Sequence, residues 1–228
     1  RRSAFRQLLG VYPKEFLLST SGTFNRGKNF GYLIEAMSAL HKDGIKLLII
    51  GDEVAPNGES SRLKSLTHQL GLDNVIIFTG WQSDPSPFVA SSDVYVFPSR
   101  FEGSPNALLE ALGCGVPCLG TEIDEITEVL RYEDLLFPLD CHEVLVNKIK
   151  RLRFDADFYQ RARMLSHERC NHFLFDWEQE IVKMVTSGDT TSGDATPGDA
   201  APGDAAPGDA ASRDVTSGDA TSDEGHAI

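Results

Sequence analysis

The sequence predicts an α/β fold built on a doubly wound parallel sheet, and three observations carry that prediction. Short apolar runs such as Leu47-Leu48-Ile49-Ile50 recur through residues 1–186. Each is followed by a longer stretch whose apolar residues repeat at helical spacing. The runs themselves lack polar alternation, as expected of strands covered by helices on both faces. Ligands of such a domain are expected beyond the carboxyl ends of the strands.

The elements follow in order. Residues 15–20 (Glu-Phe-Leu-Leu-Ser-Thr) form a strand leaving through Ser21-Gly22-Thr23. Residues 29–42 carry Phe30, Leu33, Ile34, Met37 and Leu40, a helical stripe. A buried strand over 46–50 stops at Gly51-Asp52. Residues 60–70 place Leu63, Leu66 and Leu70 on one helical face, with Gly71 beyond the end. A third strand over 75–79 ends at Gly80-Trp81, a short helix covers 86–91, and a fourth strand covers 94–97. A helix from Pro105, a fifth strand around 117–120 and helices over 123–130 and 141–152 flank a weak sixth strand at 135–137. A last helix over 158–184 carries Phe173, Phe175 and Trp177, expected to anchor it to the sheet.

The chain changes character near residue 187. Beyond it the only apolar side chains are Ala, Val215 and Ile228, and Asp recurs at every fifth position from Asp189 to Asp219. Such a repeat has nothing to bury against the cost of ordering its backbone, so a disordered tail is expected over 187–228. It reads as a solvated extension without a site, an acidic interaction arm being the alternative. With eight Asp and one Glu against one Arg, the tail holds −8 of the −13 net charge, leaving −5 for residues 1–186. That ordinary surface argues against a nucleic-acid partner, which a basic face would serve.

No apolar run approaches a membrane span, and Arg1-Arg2-Ser3 leads into an amphipathic stretch rather than a signal sequence. Cys114, Cys118, Cys141 and Cys170 form no Cys-x-x-Cys pair, and the one nearby His is His142. Reduced thiols in a cytosolic protein are expected, not a zinc site. No Gly-x-Gly-x-x-Gly follows the first strand, which disfavours an oxidoreductase.

Most of the chemistry sits in residues 97–117, Phe-Pro-Ser-Arg-Phe-Glu-Gly-Ser-Pro-Asn-Ala-Leu-Leu-Glu-Ala-Leu-Gly-Cys-Gly-Val-Pro. Ser104 is a good N-cap, and Pro105 suits the first helical position. The amides of Asn106, Ala107 and Leu108 would then leave the helix start free to accept phosphate oxygens. Gly103 gives the backbone room to approach a ligand. Glu110, one turn past Asn106, leans back toward the helix start, where it can hold a ribose. Glu102, in the loop before the cap, can reach the hydroxyls of a second sugar. Two Glu eight apart also arise by chance, but the strand before them and the small-residue exit after them make the window specific. Neither is placed opposite a shared water, as a hydrolase pair would be.

This Glu-x7-Glu window, with Pro98-Ser99 before it and Glu110-Ala111-Leu112-Gly113-Cys114-Gly115-Val116-Pro117 closing it, resembles the donor-binding signature of glycosyltransferase family 4. These are retaining enzymes of the GT-B architecture. Gly22-Thr23-Phe24-Asn25-Arg26-Gly27-Lys28-Asn29, leading into Leu33-Ile34-Glu35-Ala36, is similar to the family's first loop and helix. Ile49-Ile50-Gly51-Asp52 resembles its second strand end, and Ile77-Phe78-Thr79-Gly80-Trp81 with Ser92-Asp93-Val94-Tyr95-Val96 the approach to the signature. Leu136-Phe137-Pro138 and Phe175-Asp176-Trp177-Glu178 resemble its closing segments. The resemblance covers about residues 5–186 and omits the tail.

The resemblance implies that residues 1–186 are a Rossmann-like domain, the C-terminal, donor-binding half of a GT-B fold. It implies transfer of a sugar from a nucleoside diphosphate sugar to an acceptor hydroxyl with retention, with no cofactor and no metal ion. Lys28 would face the donor diphosphate, Glu110 would hold the ribose and Glu102 would contact the transferred sugar. Lys28 and Glu102 are thus the catalytic candidates. Gly22, Thr23, Gly103, Ser104, Asn106, Ala107 and Leu108 would surround the phosphates, and Trp81, Gln82 and Ser83 would line the base pocket. A core position is the commoner fate of a lone Trp such as Trp81.

Two departures bear on activity. Thr23 stands where the family usually has Arg, which halves the cationic clamp on the leaving diphosphate unless Arg26 reaches in. Losing such a group raises a barrier by several kcal/mol, on the order of one oxyanion donor. The second departure is that Arg1 to Gly10 already match the segment leading into the C-terminal domain, so the acceptor-binding half is expected to be missing. The implied partners are that half and an acceptor glycan or lipid-linked saccharide. The implied place is the cytoplasm, with peripheral membrane attachment through the missing half as a variant. A catalytically incomplete sugar-nucleotide-binding domain is the first alternative function, and a sugar-nucleotide 2-epimerase the second.

Overall fold

The computed structural model describes residues 2–174. Six parallel strands, β1 (Phe16–Ser21), β2 (Ile45–Ile50), β3 (Ile76–Phe78), β4 (Val94–Phe97), β5 (Cys118–Thr121) and β6 (Leu136–Phe137), form one sheet in the order β3-β2-β1-β4-β5-β6. The chain builds outward from β1 to β3, crosses back to β4, and builds outward again on the other side. That reversal between β1 and β4 opens a crevice at the strand ends, where ligands of doubly wound folds bind. Every residue of β1, β4 and β5 is buried. The absence of polar alternation in the sequence therefore reports helices on both sheet faces.

The helices are α1 (Arg2–Leu8), α2 (Phe30–Leu40), α3 (Glu59–Gln69), α4 (Ser86–Ser91), α5 (Asn106–Gly113), α6 (Asp124–Leu130), α7 (His142–Phe154) and α8 (Ala156–Phe173). The α2 stripe of Phe30, Leu33, Ile34, Met37 and Leu40 is buried as expected. On α3, Leu63 is buried, but Leu70 is the exposed C-cap, and Leu72, past the turn, fills the core instead. Helix α8 starts at Ala156 because the Asp155 carboxylate accepts the Phe158 N–H at 2.9 Å. Phe173 is 39% exposed, so it does not anchor the helix as expected. Phe175, Trp177 and the repeat tail lie outside the described residues.

Asp93 ties the amino ends of the sheet together. Its Oδ2 accepts the Leu17 N–H at 2.7 Å and Arg6 Nη1 at 3.0 Å, and its Oδ1 accepts Arg2 Nη2 at 2.6 Å. One carboxylate thereby fixes α1, the start of β1 and the start of β4. Among the described residues no helix is long and apolar enough to cross a membrane. None of their His, Cys, Asp and Glu side chains are grouped to hold a metal ion, and all four cysteines are free.

Candidate functional site

The crevice has a backbone floor. Gly22 follows β1 and donates its N–H to the Ile50 carbonyl at 3.0 Å, while Gly51 follows β2 and donates to the Gly80 carbonyl at 3.0 Å. Gly51 adopts φ +133°, and a Cβ there would stand 2.0 Å from the Gly22 carbonyl oxygen. Only glycine fits, so the two strand ends meet without side chains between them. Beneath them the Ser21 hydroxyl pairs with the Tyr95 hydroxyl at 2.9 Å, and burial pushes the Tyr95 phenol above its ordinary value.

The start of α5 differs from the expected cap. Pro105, at φ −82° and ψ 55°, is itself the N-cap, and its carbonyl accepts from Leu108 N at 2.9 Å and Leu109 N at 3.1 Å. Ser104 does not cap the helix, because its hydroxyl donates to the Asn106 side-chain oxygen at 2.9 Å. The Asn106 N–H is directed to the Ser104 carbonyl at 2.9 Å. Of the three amides expected to be free, Ala107 alone has no partner among the described residues. A proline leading the helix explains this, since it leaves no cap side chain and tightens the first turn into a 3₁₀-type bond.

A cavity of about 390 Å³ lies over this floor. Gly22, Thr23, Trp81, Gln82, Ala107 and Glu110 from the expected set line it, joined by Ser21, Ile50, Gly51, Asp52, Val54 and Pro85. Trp81 is 71% exposed at the mouth, which excludes the core position. Gln82 is held by its Nε2 donating to the Thr79 carbonyl at 3.0 Å. Glu110 is exposed on α5 and lines the cavity. Ser83, Gly103, Ser104, Asn106 and Leu108 do not line the cavity. Gly103 faces open space: a Cβ there would meet nothing within 4 Å. The sequence marked Gly51-Asp52 as a strand end without assigning it to the site. The signal for Asp52, its place directly after a strand, was there to be used.

Lys28 and Glu102 flank the cavity rather than line it. Lys28 Nζ donates to Glu102 Oε1 at 2.7 Å and stands 5.1 Å from the centre of the Phe97 ring. The loops that carry them, between β1 and α2 and between β4 and α5, are also joined where Arg100 N donates to the Gly27 carbonyl at 2.8 Å. Arg26 is exposed, does not line the cavity, and sits where its charge helps lower the Glu59 carboxyl, behind the effect of Arg62. Among the described residues the cavity lining therefore contains two carboxylates, Asp52 and Glu110, and no Lys or Arg.

The fold has counterparts in known proteins. LpsE of Rhizobium meliloti (strain 1021), a lipopolysaccharide core biosynthesis glycosyltransferase, is 35% identical over 154 residues, covering 67% of this chain and 44% of that protein. The crystal structure of Anabaena HepE in complex with UDP and glucose superposes with a TM-score of 0.72 at 21% identity, over 82% of this chain and 52% of that one. The C-terminal domain of the Francisella tularensis group 1 glycosyl transferase LpcC superposes with a TM-score of 0.66 at 20% identity. That comparison covers 76% of this chain and 92% of the LpcC domain. The chain spans less than half the length of the first curated relatives it matches. The family described as glycosyl transferases group 1 matches residues 15–155, and this chain belongs to it.

Proposed function

We propose that residues 1–186 are the donor-binding half of a retaining glycosyltransferase that uses a nucleoside diphosphate sugar. One observation carries the reading: a cavity at the strand-order reversal has the free Ala107 amide at a helix start and the Glu110 carboxylate on one wall. An amide at a helix N-terminus favours phosphate oxygens, and a carboxylate one turn along accepts ribose hydroxyls. Trp81 and Gln82 flank the space left for the base.

In the proposed reaction the bond from the anomeric carbon to the diphosphate oxygen breaks. A bond to the acceptor oxygen forms with retained configuration, and the acceptor's proton leaves with the nucleoside diphosphate. Lys28 and the α5 start neutralise the departing charge, and the reading assigns no part to a metal ion. The acceptor, a glycan or lipid-linked saccharide, would be bound by a second domain.

The absence of Arg and Lys from the cavity lining, together with Thr23, favours one other reading, a sugar-nucleotide-binding domain without transfer activity. Calorimetric titration of UDP and GDP into wild type and Glu110→Ala tests the shared part. Binding that Glu110→Ala weakens at least tenfold supports a donor site, about the value of one hydrogen bond to a charged group. No binding to wild type leaves a structural relic. Measurable sugar transfer by the chain alone would reject the incomplete reading.

A further inference from the structure

We infer that the Lys28–Glu102 pair is a specificity switch separating an intact nucleoside diphosphate sugar from the bare nucleoside diphosphate, an inference that rests on the donor-site reading. The two side chains are 20% and 7% exposed and share a charge-assisted hydrogen bond of 2.7 Å. Their loops are clasped beyond that bond. Arg100 N donates to the Gly27 carbonyl, and a Cβ at Gly27 would stand 2.7 Å from the Phe101 ring. The Lys28 N–H is itself held by the Asn25 side chain at 3.1 Å. The backbone is thus fixed on both sides. A Cβ at Gly22, on the cavity floor, would stand 3.4 Å from Lys28 Cε, and the inferred switch turns Nζ from Glu102 toward a phosphate there.

That departure has a different cost for the two ligands. A bare nucleoside diphosphate attracts Lys28 but lacks the sugar hydroxyls that would donate to Glu102, its ribose being assigned to Glu110. It would strand a carboxylate that is almost fully buried, which is strongly unfavourable. A diphosphate sugar brings hydroxyls that donate to Glu102 in place of the lysine, so Lys28 is released to the phosphates with both charges still paired. After the sugar leaves, Glu102 takes Lys28 back and the remaining nucleotide loses its cation. Glu102 therefore selects the intact donor by competing for Lys28 as well as by touching the sugar, and it weakens product binding by the same means.

The test is calorimetric, on the full chain, with UDP against UDP-glucose and GDP against GDP-mannose. The proteins are wild type, Glu102→Gln, Glu102→Ala, Lys28→Met and the double variant Lys28→Met with Glu102→Gln. The switch requires that wild type prefer the sugar-bearing member of whichever pair it binds. Either Glu102 substitution then tightens the bare diphosphate about tenfold, the scale of one charge-assisted contact, and removes most of that preference. In the Lys28→Met background Glu102→Gln has no effect on the bare diphosphate. Three results overturn the switch: no preference in wild type, no gain on substituting Glu102, or the same gain without Lys28. Absence of all binding by wild type instead overturns the donor-site reading beneath it.

Discussion

Gly51 and Gly22 touch through their backbones: a methyl group on Gly51 would stand 2.0 Å from the Gly22 carbonyl oxygen. The clash is with main chain, so no side-chain rearrangement relieves it, and φ +133° adds strain for any other residue. Gly51→Ala should cost at least about 3 kcal/mol, from overpacking and backbone strain together. Gly58→Ala is the control, since Gly58 also has positive φ but nothing lies within 4 Å of its Cβ position. It should cost about 1 kcal/mol. Urea unfolding of both variants measures the contrast; equal losses would mean that backbone conformation alone, not the Gly22 contact, demands glycine at 51.

Thr23 lines the cavity, and no Lys or Arg does so among the described residues. Thr23→Arg places a guanidinium on the strand-end loop beside the Ala107 amide, where a diphosphate is proposed to sit. Nucleoside diphosphate binding should tighten about tenfold, roughly 1.4 kcal/mol, as expected for a charge-assisted phosphate contact. Calorimetry at low and high salt checks it, because an ionic gain shrinks as salt rises. An unchanged affinity would place the phosphates away from Thr23.

These two sites show what the sequence could and could not disclose. The sheet, its order of elements and the α2 stripe were legible because apolar periodicity reports burial directly. The Glu110 wall was legible because helical spacing fixes where a side chain one turn along must point. The cap at α5 was not. Ser104 and Pro105 fit the local preferences, but Ser104 bonds to the Asn106 side chain and Pro105 takes the cap position itself. The Lys28–Glu102 bond was also hidden, since it joins residues 74 positions apart and depends on how two loops meet. Pro85 became visible as a cavity residue only once the strand ends were brought side by side.

Asp93 holds the opposite, amino-terminal ends of the central strands β1 and β4. Its carboxylate is 19% exposed, receives Arg2, Arg6 and the Leu17 amide, and leaves Arg6 only 11% exposed. Asp93→Ala strands a mostly buried guanidinium and should cost about 3 kcal/mol, the lower end for breaking a buried pair because Arg6 retains backbone carbonyl partners. Asp93→Asn keeps an acceptor and should lose less. Chemical denaturation measures both. Nucleotide affinity of the folded protein should be unchanged, since Asp93 lies at the amino ends of the strands. A loss of affinity at full folding would show that the two ends of the strands are coupled.

Tyr32 predicts how the fold fails in alkali. Its ring is buried and stacks on His142 at 4.0 Å. Burial, then the negative charge available to Cys141 and Asp140, pushes its phenol from 10.0 up to about 12. The unfolded chain releases this proton first, so the folded state holds more protons between those values and stability falls there as pH rises. The contribution is complete below pH 10 and is lost on approaching 12. Tyr95, raised further by full burial, extends the loss to higher pH. The buried Tyr32 hydroxyl makes no hydrogen bond of normal geometry among the described residues, only a weaker approach to the Cys141 backbone, so Tyr32→Phe should leave stability at neutral pH unchanged or raise it by up to about 1 kcal/mol. It should also make the decline above pH 10 shallower. Urea midpoints on either side of that pH decide it: a decline as steep as that of wild type would assign the alkaline loss to the other groups that burial raises, Cys118, Tyr95 and Tyr159, and remove Tyr32 from the account.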